Sequence, residues 1–296
     1  MDYLVYLIYK AFALLLRVLP KFFIKKLLDF FAFLAYHLDK KHYKIAKSNL
    51  DLAFGNDKTE KEKKDIIKSS LRNMAYNMYE FIVLQYESLD QTKKKISVEN
   101  DEKLVNLLKD GKRIIIATGH YGCWELALPY FAMVYNPLTV ISRKLNNPYL
   151  NQIFLKARKR QNLSMCEKKG AARCIVQAVK KQRIIVITID QSINNKQGVD
   201  VCFFKHKASQ VDSPVRLASK LDAVIMPIFS IRDDFGKYRL VLKDPIEIPP
   251  SLTEEDVVEY SQKLSDVLEE QIKTKPDDWF WQHRRWKLYY PEIYKK

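Results

Sequence analysis

Four short apolar runs, separated by helical stretches, constrain the fold of this chain more than any other feature. The runs are RIIIAT (113–118), LTVIS (138–142), RIIVITID (183–190) and AVIMPIFSI (223–231). Runs of this length, rich in β-branched residues, are typical of strands buried on both faces. The stretches between them are NPYLNQIFLKARKRQ, AARCIVQAVKKQ and SPVRLASKLD. Alternating strands and helices predict an α/β fold with a mostly parallel central sheet and flanking helices.

A hairpin and a long helix follow the last apolar run. The sequence FSIRDDFGKYRLVL (229–242) predicts two strands joined near Gly236, which would add an antiparallel strand to the sheet. The segment TEEDVVEYSQKLSDVLEEQIKTK (253–275) then predicts a helix, and an aromatic, basic tail completes the chain.

The residues before the sheet are predicted to be helical. A capped helix start at Thr59 supports a helical lead-in over 39–100. We therefore expect an apolar helical segment over 1–38 and a domain over 39–296, with its α/β core over 101–296.

The segment 1–38 is apolar but carries regularly spaced cations. On one continuous helix, Lys10, Arg17, Lys21 and Lys25 would fall within about 80° of one another, which leaves a wide apolar face. Such a helix could lie in the headgroup plane or span the bilayer at a tilt, so this segment is predicted to anchor the protein in a membrane. The alternative is two helices broken at Pro20 and packed on the protein's own core.

Positive charge restricts the partners of this protein. The 51 Lys and Arg residues against 35 Asp and Glu give a net charge of +16. With 47% hydrophobic and 29% charged residues, the chain is neither disordered nor a polytopic membrane protein. The segment 156–183 holds ten Lys and Arg residues and one acid, Glu167. A cationic surface of this kind suits anionic lipids, an acidic protein or nucleic acid.

The four cysteines show no CxxC pair and no metal-binding spacing. We expect reduced thiols that face a cytoplasmic compartment. They are Cys123, Cys166, Cys174 and Cys202.

A histidine and a glutamate follow the first strand of the sheet. His120 lies between Gly119 and Gly122, two of only seven glycines in the chain, and Glu125 comes five residues later. Ligands of parallel sheets bind outside the carboxyl ends of the strands, so this turn is where chemistry is expected. If a helix begins at about Cys123, the Glu125 carboxylate could orient the imidazole and make His120 a general base.

Other interpretations of the same residues remain. A Cys123 nucleophile is of the right chemical type, but a thiol in the first turn of a buried helix is usually inert. Zinc needs three or four ligands and HYGC supplies at most two, so no metal site is expected. GHYG also fits the GxxG loop of a KH nucleic-acid module, although that loop joins two helices. A loop histidine satisfied by a local hydrogen bond is the fourth interpretation.

These motifs, taken together and in order, resemble the lipid A biosynthesis lauroyl/myristoyl acyltransferase family of Gram-negative bacteria, in which HxxxxE or HxxxxD is the catalytic signature. The resemblance covers nearly the whole chain. It is carried by KIAKSNLDLAF, GHYGCWE, NPYLN followed by RKR, the strand-end DQ, Phe203-Phe204, the strand around Pro227 and WFWQHRRWK.

The resemblance implies a glycerolipid-acyltransferase type of α/β fold at the cytoplasmic face of the inner membrane. It implies an acyl donor on acyl carrier protein and a hydroxyl of a lipid A precursor as acceptor. His120 and Glu125 take the catalytic positions of the family. Arg158 matches a position that contributes to the family's active site.

Four further residues are candidates for substrate binding. Asp190 and Gln191 end the strand 183–190 and could position groups at the same sheet edge or cap the chain there. Arg284 and Arg285 lie in WFWQHRRWK, which suits a phosphate clamp, an interfacial aromatic belt or aromatic packing under the sheet.

The predicted function is direct acyl transfer from a thioester to a hydroxyl, without an acyl-enzyme and without a cofactor. His120 would take the hydroxyl proton, and Arg158 would hold the oxyanion or an acceptor phosphate. One alternative is the same reaction on another glycolipid or a lysophospholipid. A basic membrane-binding or nucleic-acid-binding protein without catalysis is the alternative of another class. We expect anionic lipids and an acidic carrier, rather than nucleic acid, to be the partners.

Overall fold

The computed structural model describes residues 2–142, 144–167, 171–193 and 198–295. Its helices are α1 (Asp2–Val18), α2 (Lys21–Leu38), α3 (Lys40–Phe54), α4 (Glu60–Val83), α5 (Leu89–Lys93), α6 (Glu102–Lys109), α7 (Trp124–Val134), α8 (Pro148–Arg160), α9 (Ala171–Lys180), α10 (Ser213–Leu221) and α11 (Glu254–Thr274). Its strands are β1 (Ile96–Glu99), β2 (Arg113–Thr118), β3 (Leu138–Ser142), β4 (Leu163–Glu167), β5 (Ile184–Thr188), β6 (Gly198–Phe203), β7 (His206–Val211), β8 (Ala223–Asp234) and β9 (Lys237–Leu242). Lys168 and Lys169 of the basic segment lie outside the described residues.

Seven of the described strands form one sheet, in the order β1-β9-β8-β2-β5-β3-β4, and β6 and β7 form a separate pair. All neighbouring pairs of the seven-stranded sheet are parallel except β8 with β9, which form the antiparallel hairpin that was predicted. Gly236 turns this hairpin at φ +73°. The predicted α/β fold with a mostly parallel sheet and flanking helices is confirmed.

The central strand β2 separates two hydrophobic cores. Ile115 and Ala117 face a core shared with α9, α10 and α11, whereas Ile114 and Ile116 face a core shared with α6 and α7. Alternation along a strand with both faces buried explains the continuous apolar sequence of β2. Because β2 lies inside the sheet, the turn that follows it is supported from both sides.

Several strands were not predicted, each for a physical reason. The edge strand β4 is only five residues long, LSMCE, and only two of them, Leu163 and Cys166, are buried. The separate β6–β7 hairpin turns at Phe204 and Lys205, with φ of +52° and +63°, where glycine or asparagine is the usual signal. The lead-in is helical as far as Lys93 and then adds β1, which pairs with β9 in the main sheet.

The N-terminal segment is two helices and not one. It breaks at Pro20, so the projection of its cations onto one continuous helix is wrong. Leu16, Ile24 and Leu28 are buried in a small core with residues of α4. The outward residues remain exposed, including Leu4, Ile8, Leu15, Phe22, Phe23 and Phe33. Among the described residues, no helix is long and apolar enough to cross a bilayer.

The C-terminal tail is part of the core. Trp279, Trp281 and Trp286 are fully buried, which contradicts an interfacial belt and confirms the alternative of aromatic packing. Side chains of α3 and α4 hold the tail's backbone: Asn49 Nδ2 donates to two of its carbonyls at 2.7 Å. Ser70 Oγ donates to the Trp279 carbonyl at 2.7 Å.

The cysteines differ from expectation at one pair. Cys166 of β4 and Cys174 of α9 form a disulfide with their Cα atoms 6.1 Å apart, so the expectation of four reduced thiols is wrong for these two. The cause is the packing of α9 beside the edge strand β4, which no sequence spacing reveals. Cys123 and Cys202 are free.

Candidate active site

Strand register brings His120 and Asp190 together. Thr118 of β2 pairs with Thr188 of the neighbouring parallel strand β5. Both strands end at this level. The chain reaches His120 two residues after β2 and Asp190 two residues after β5. The pairing persists beyond the strands, because the Ile189 N–H donates to the Thr118 carbonyl at 2.8 Å. The two residues therefore meet at the carboxyl ends of central strands, where ligands of such sheets bind.

The two glycines around His120 each permit a close approach. A Cβ at Gly119 would lie 3.3 Å from Asp190 Cβ and Cγ, so the missing side chain leaves room for that carboxylate. Gly122 has φ +58°, and a Cβ there would lie 1.7 Å from the Ser230 carbonyl oxygen of β8. Only glycine combines that conformation with that contact. These two scarce glycines therefore fix the path of the loop that carries His120.

His120 is held on one side and open on the other. Its Nδ1 lies 3.0 Å from Asp190 Oδ1, and its backbone N–H donates to Asp190 Oδ2 at 2.7 Å. Its side chain is 25% exposed, and no described residue is a hydrogen-bond partner of Nε2. Burial alone would lower the pKa of His120, but the Asp190 charge and hydrogen bond outweigh it and raise this pKa above 6.5. Nε2 is thus the ring nitrogen available to a substrate.

Asp190 is buried and kept ionised. Besides the two contacts with His120, its Oδ2 accepts a hydrogen bond from Trp279 Nε1 at 3.2 Å. Burial raises the pKa of a carboxyl, yet the charge and hydrogen bonds of His120 hold the pKa of Asp190 well below its usual value. His283 Nε2 lies 2.8 Å from the Asp190 carbonyl oxygen, and this contact fixes the backbone as well.

Glu125 has a different partner from the one expected. It occupies the first turn of α7, and its carboxylate forms an ion pair with Arg158 of α8. Asn77 Oδ1 of α4 accepts a hydrogen bond from the Glu125 N–H at 3.1 Å. Asn77 thus caps α7, because the N-cap residue Cys123 makes no side-chain capping hydrogen bond. The prediction that Glu125 orients His120 does not match the structure. Asp190 already occupies the Nδ1 side of the ring, and the glutamate side chain extends toward α8.

Arg158 is a fixed, buried cation. Its guanidinium carbon lies 5.3 Å from the ring centre of Phe81 and 5.0 Å from that of Phe154. Burial lowers the pKa of Arg158 to about 10, which leaves the side chain charged near neutral pH. The two rings and the Glu125 carboxylate restrict its position, so Arg158 is not a solvent-exposed arginine on the outer face of the helix.

The remaining predicted site residues lie apart from this group. Gln191 is exposed, and Arg285 donates to its backbone carbonyl at 3.1 Å. Arg285 is fully buried and also donates to the Ser209 carbonyl at 2.8 Å, so it supports the loop after β5 from below and cannot clamp a phosphate. Arg284 is exposed beside Tyr294. Cys123 is fully buried and burial raises the pKa of its thiol well above the usual value, which disfavours a nucleophile.

The tail contributes functional contacts that sequence reasoning missed. Gly122 N–H donates to the Asp278 carbonyl at 2.8 Å, and Phe280 N–H donates to the His120 carbonyl at 3.0 Å. Tyr121 and Trp279 are paired between these two bonds. The tail is therefore joined to the His120 loop by a β-bridge that these two hydrogen bonds flank. The sequence signal was the run WFWQH, which predicted packing but not its partner.

A small apolar cavity lies next to the His120 loop, between α7 and the sheet. Its interior measures about 20 Å³ and is lined by Ile116, Trp124, Leu128, Phe131, Ile228 and Leu240, among others. Trp124 connects it to the site, because its ring centre lies 5.2 Å from that of His120. Among the described residues, no group of three or more His, Cys, Asp or Glu side chains is arranged to hold a metal ion.

A base oriented by a carboxylate, with a fixed cation and an apolar cavity nearby, suits the transfer of an acyl group to a hydroxyl. Comparison with known proteins gives the same class. The chain belongs to the bacterial lipid A biosynthesis acyltransferase family, whose model matches residues 1–288. The predicted resemblance is confirmed, and the protein is an acyltransferase.

Individual relatives are distant. The lipid A biosynthesis palmitoleoyltransferase of Escherichia coli K12 is 24% identical over 84% of this chain and 79% of its own length. The lauroyltransferase of the same organism is 24% identical over 86% and 82%. A phosphatidylinositol mannoside acyltransferase of Mycolicibacterium smegmatis is 23% identical over 75% and 72%.

Proposed function

We propose that this protein transfers a fatty acyl chain from the thioester of acyl carrier protein to a hydroxyl of a lipid A precursor, at the cytoplasmic face of the inner membrane. The observation that carries the proposal is the geometry of His120. Asp190 holds Nδ1 at 3.0 Å, and Nε2 has no partner among the described residues. A histidine held in this way is a general base with its accepting nitrogen directed at a substrate.

The reaction needs no covalent enzyme intermediate. Nε2 of His120 takes the proton of the acceptor hydroxyl, and the oxygen attacks the thioester carbonyl carbon. The tetrahedral intermediate then collapses as the C–S bond breaks, and the imidazolium returns its proton to the leaving thiolate. Asp190 remains ionised and stabilises the imidazolium, because its depressed pKa disfavours proton transfer onto it.

We assign the stabilisation of the oxyanion to Arg158. It is confined between Phe81 and Phe154, and Glu125 fixes the direction of its guanidinium. A preorganised cation of low mobility stabilises developing charge without reorganising. Glu125 thereby contributes to the reaction by positioning Arg158. The two residues of the HxxxxE motif therefore have different partners, Asp190 for His120 and Arg158 for Glu125.

The apolar cavity beside Trp124 is the proposed seat of part of the acyl chain. Its lining is almost entirely aliphatic and aromatic. At about 20 Å³ the cavity is smaller than an acyl chain, so the chain would enter as the lining side chains move apart, and it would gain about 0.8 kcal/mol for each CH₂ it buries.

The N-terminal helices support attachment to the membrane surface. Leu4, Ile8 and Phe23 on their outer side are each more than half exposed, and Lys10, Lys21 and Lys26 accompany them. Exposed apolar residues interleaved with cations suit helices that lie in the headgroup region of an anionic leaflet. This arrangement agrees with the absence of a spanning helix from the described residues.

A second acceptor class is supported by one comparison. The mycobacterial relative acts on a phosphatidylinositol mannoside, so the family's scaffold accommodates a glycolipid other than lipid A. The chemistry at His120 would be unchanged, and only the surface that binds the sugar would differ.

Lipid mass spectrometry tests the proposal. Cells that lack this protein should accumulate lipid A short of one acyl chain, and expression of the parent protein should restore it. His120→Ala should fail to restore it and should lower turnover of purified enzyme by about 10³-fold or more with the fold intact. Cys123→Ser is the control and should retain activity. An unchanged lipid A pattern alongside an altered glycolipid would favour the second acceptor class, and near-normal turnover of His120→Ala would reject the mechanism.

A further inference from the structure

Helix α8 carries an exposed stripe of residues that do not take part in the candidate active site. Tyr149, Leu155, Lys156 and Lys159 are exposed and, at 100° per residue, fall within about 120° of one another. Leu145, just before the helix, is exposed as well. Tyr149 and Leu155 are 43% and 44% exposed. Large apolar residues interleaved with lysines on one face are typical of a helix that lies on a lipid surface.

The stripe continues onto the exposed face of α1. The ring of Tyr149 lies 5.5 Å from that of Tyr3 and 5.7 Å from that of Tyr6. Asn147 Nδ2 donates to the Asp2 carbonyl at 3.0 Å, so the start of α8 is bound directly to the start of α1. The two helices thus present one continuous surface of aromatic, aliphatic and basic residues.

The side of α8 that adjoins this stripe faces the candidate active site. Arg158, only 5% exposed, projects inward to Glu125 from the same two turns that carry Leu155, Lys156 and Lys159 outward. A helix with its side chains is about 10–12 Å across. Whatever covers the outer stripe therefore lies within about one helix diameter of Arg158.

We propose that the outer stripe of α8 is a second membrane-contact surface, occupied by anionic phospholipid. The proposal rests on the proposed attachment of α1 and α2 and extends it. Leu145, Tyr149 and Leu155 enter the interfacial layer, while Lys156 and Lys159 meet lipid phosphates. The bilayer then borders the site itself, and a lipid acceptor reaches His120 without leaving the membrane. An acidic carrier protein would match the lysines but would leave the apolar residues of the stripe without partners.

Flotation of the full-length protein with vesicles tests this surface. The vesicles contain phosphatidylglycerol in phosphatidylcholine. Leu155→Asp should weaken binding by about five-fold or more, whereas Val258→Asp, at a 41% exposed position on α11, should leave it unchanged. Lys159→Glu should weaken binding roughly ten-fold at low salt, and Lys220→Glu on α10 serves as its control. All four positions are exposed, so folding is not at issue.

Hydrogen exchange gives a second readout that does not involve catalysis. Binding of the parent protein to the same vesicles should slow amide exchange over residues 145–159 as well as in α1. Slowing confined to α1 and α2 would overturn the α8 surface and leave the proposed attachment intact. Equal flotation of Leu155→Asp and Val258→Asp would also overturn it, as would protection of 145–159 by an acidic carrier protein but not by vesicles. Acyl transfer can fail or succeed independently of these results.

Discussion

Among the described residues, the carboxylate partner of His120 is Asp190 rather than Glu125. Asp190 sets the charge state of the imidazole, whereas Glu125 sets the position of Arg158. The effects of the two acids can therefore be distinguished by experiment. A base must be neutral to accept a proton, so kcat/KM should rise with pH through the His120 pKa, which Asp190 raises above 6.5. The acid limb of the pH profile therefore reports on the partner of His120.

We expect the two conservative variants to separate these roles. Asp190→Asn removes the charge that raises the His120 pKa, so the acid limb should move to lower pH while kcat falls by about 10²–10⁴-fold. Glu125→Gln should lower kcat by about 10²–10³-fold and leave the acid limb where it is. Steady-state assays between about pH 5 and pH 8 measure both. A shifted limb in Glu125→Gln, with none in Asp190→Asn, would return the orienting role to Glu125.

The loop from β2 to α7 depends on contact with another element, the strand β8. Gly122 sits against the Ser230 carbonyl with φ +58°, whereas Gly236 turns the β8–β9 hairpin at φ +73° with open space around it. Both positions penalise a side chain through conformation, by about 1–2 kcal/mol. Gly122 adds a backbone collision that only movement of the loop or of β8 can relieve.

Gly122→Ala and Gly236→Ala therefore form a matched pair. We expect Gly236→Ala to lower the free energy of unfolding by about 1–2 kcal/mol with activity near normal. Gly122→Ala should cost more than about 3 kcal/mol, and any protein that folds should have lost activity because His120 has moved. Denaturant unfolding and an acyl-transfer assay measure the two effects. Similar costs at the two sites would show that the approach to β8 is not a constraint.

Elements with strong local signals could be predicted, and those without them could not. Continuous apolar sequence predicted the buried strands β2, β3, β5 and β8. Thr59 predicted the start of α4, and the structure contains the expected capping box there. The β6–β7 hairpin was missed because Phe204 and Lys205 occupy the left-handed region without a turn residue. The edge strand β4 was missed because only two of its five residues are buried.

At the scale of the whole molecule, the site is assembled from parts that are distant in sequence. His120 and Glu125 could be proposed from their spacing, and Asp190 from its place at a strand end. The partners of these side chains could not be predicted. His120 meets Asp190 because β5 lies beside β2, and Glu125 meets Arg158 because the fold brings α8 within reach of α7. Nothing local to WFWQHRRWK indicates that this tail pairs with the His120 loop and donates to Asp190 through Trp279.

Asp278, in the C-terminal tail, contacts three other parts of the chain. Its carbonyl accepts from Gly122 of the His120 loop and from Asn73 of α4, and its Oδ2 accepts the Arg232 N–H of β8 at 2.8 Å. It is fully buried, and its Oδ1 has no hydrogen-bond partner among the described residues. Burial raises the pKa of Asp278 to about 6, although Lys275 and Arg232 partly offset the effect.

Asp278 should therefore make the whole fold less stable as pH rises. The folded state holds this proton up to about pH 6, whereas an unfolded aspartate releases it near 3.8. Between those values the folded state binds more protons, so this group removes about 3 kcal/mol from the free energy of unfolding as pH rises from about 4 to about 7.

Asp278→Asn isolates that contribution, because an amide keeps the shape and the acceptor for Arg232 but cannot ionise. Relative to the parent protein, we expect the variant to gain about 3 kcal/mol of stability between about pH 4 and pH 7, measured by denaturant unfolding at each pH. Asp277→Asn, a partly exposed neighbour in the same turn, controls for the loss of a carboxylate from this part of the chain. A difference between Asp278→Asn and the parent that does not vary with pH would mean that Asp278 is ionised in the folded protein throughout this range, with Arg232 and Lys275 compensating fully for its burial.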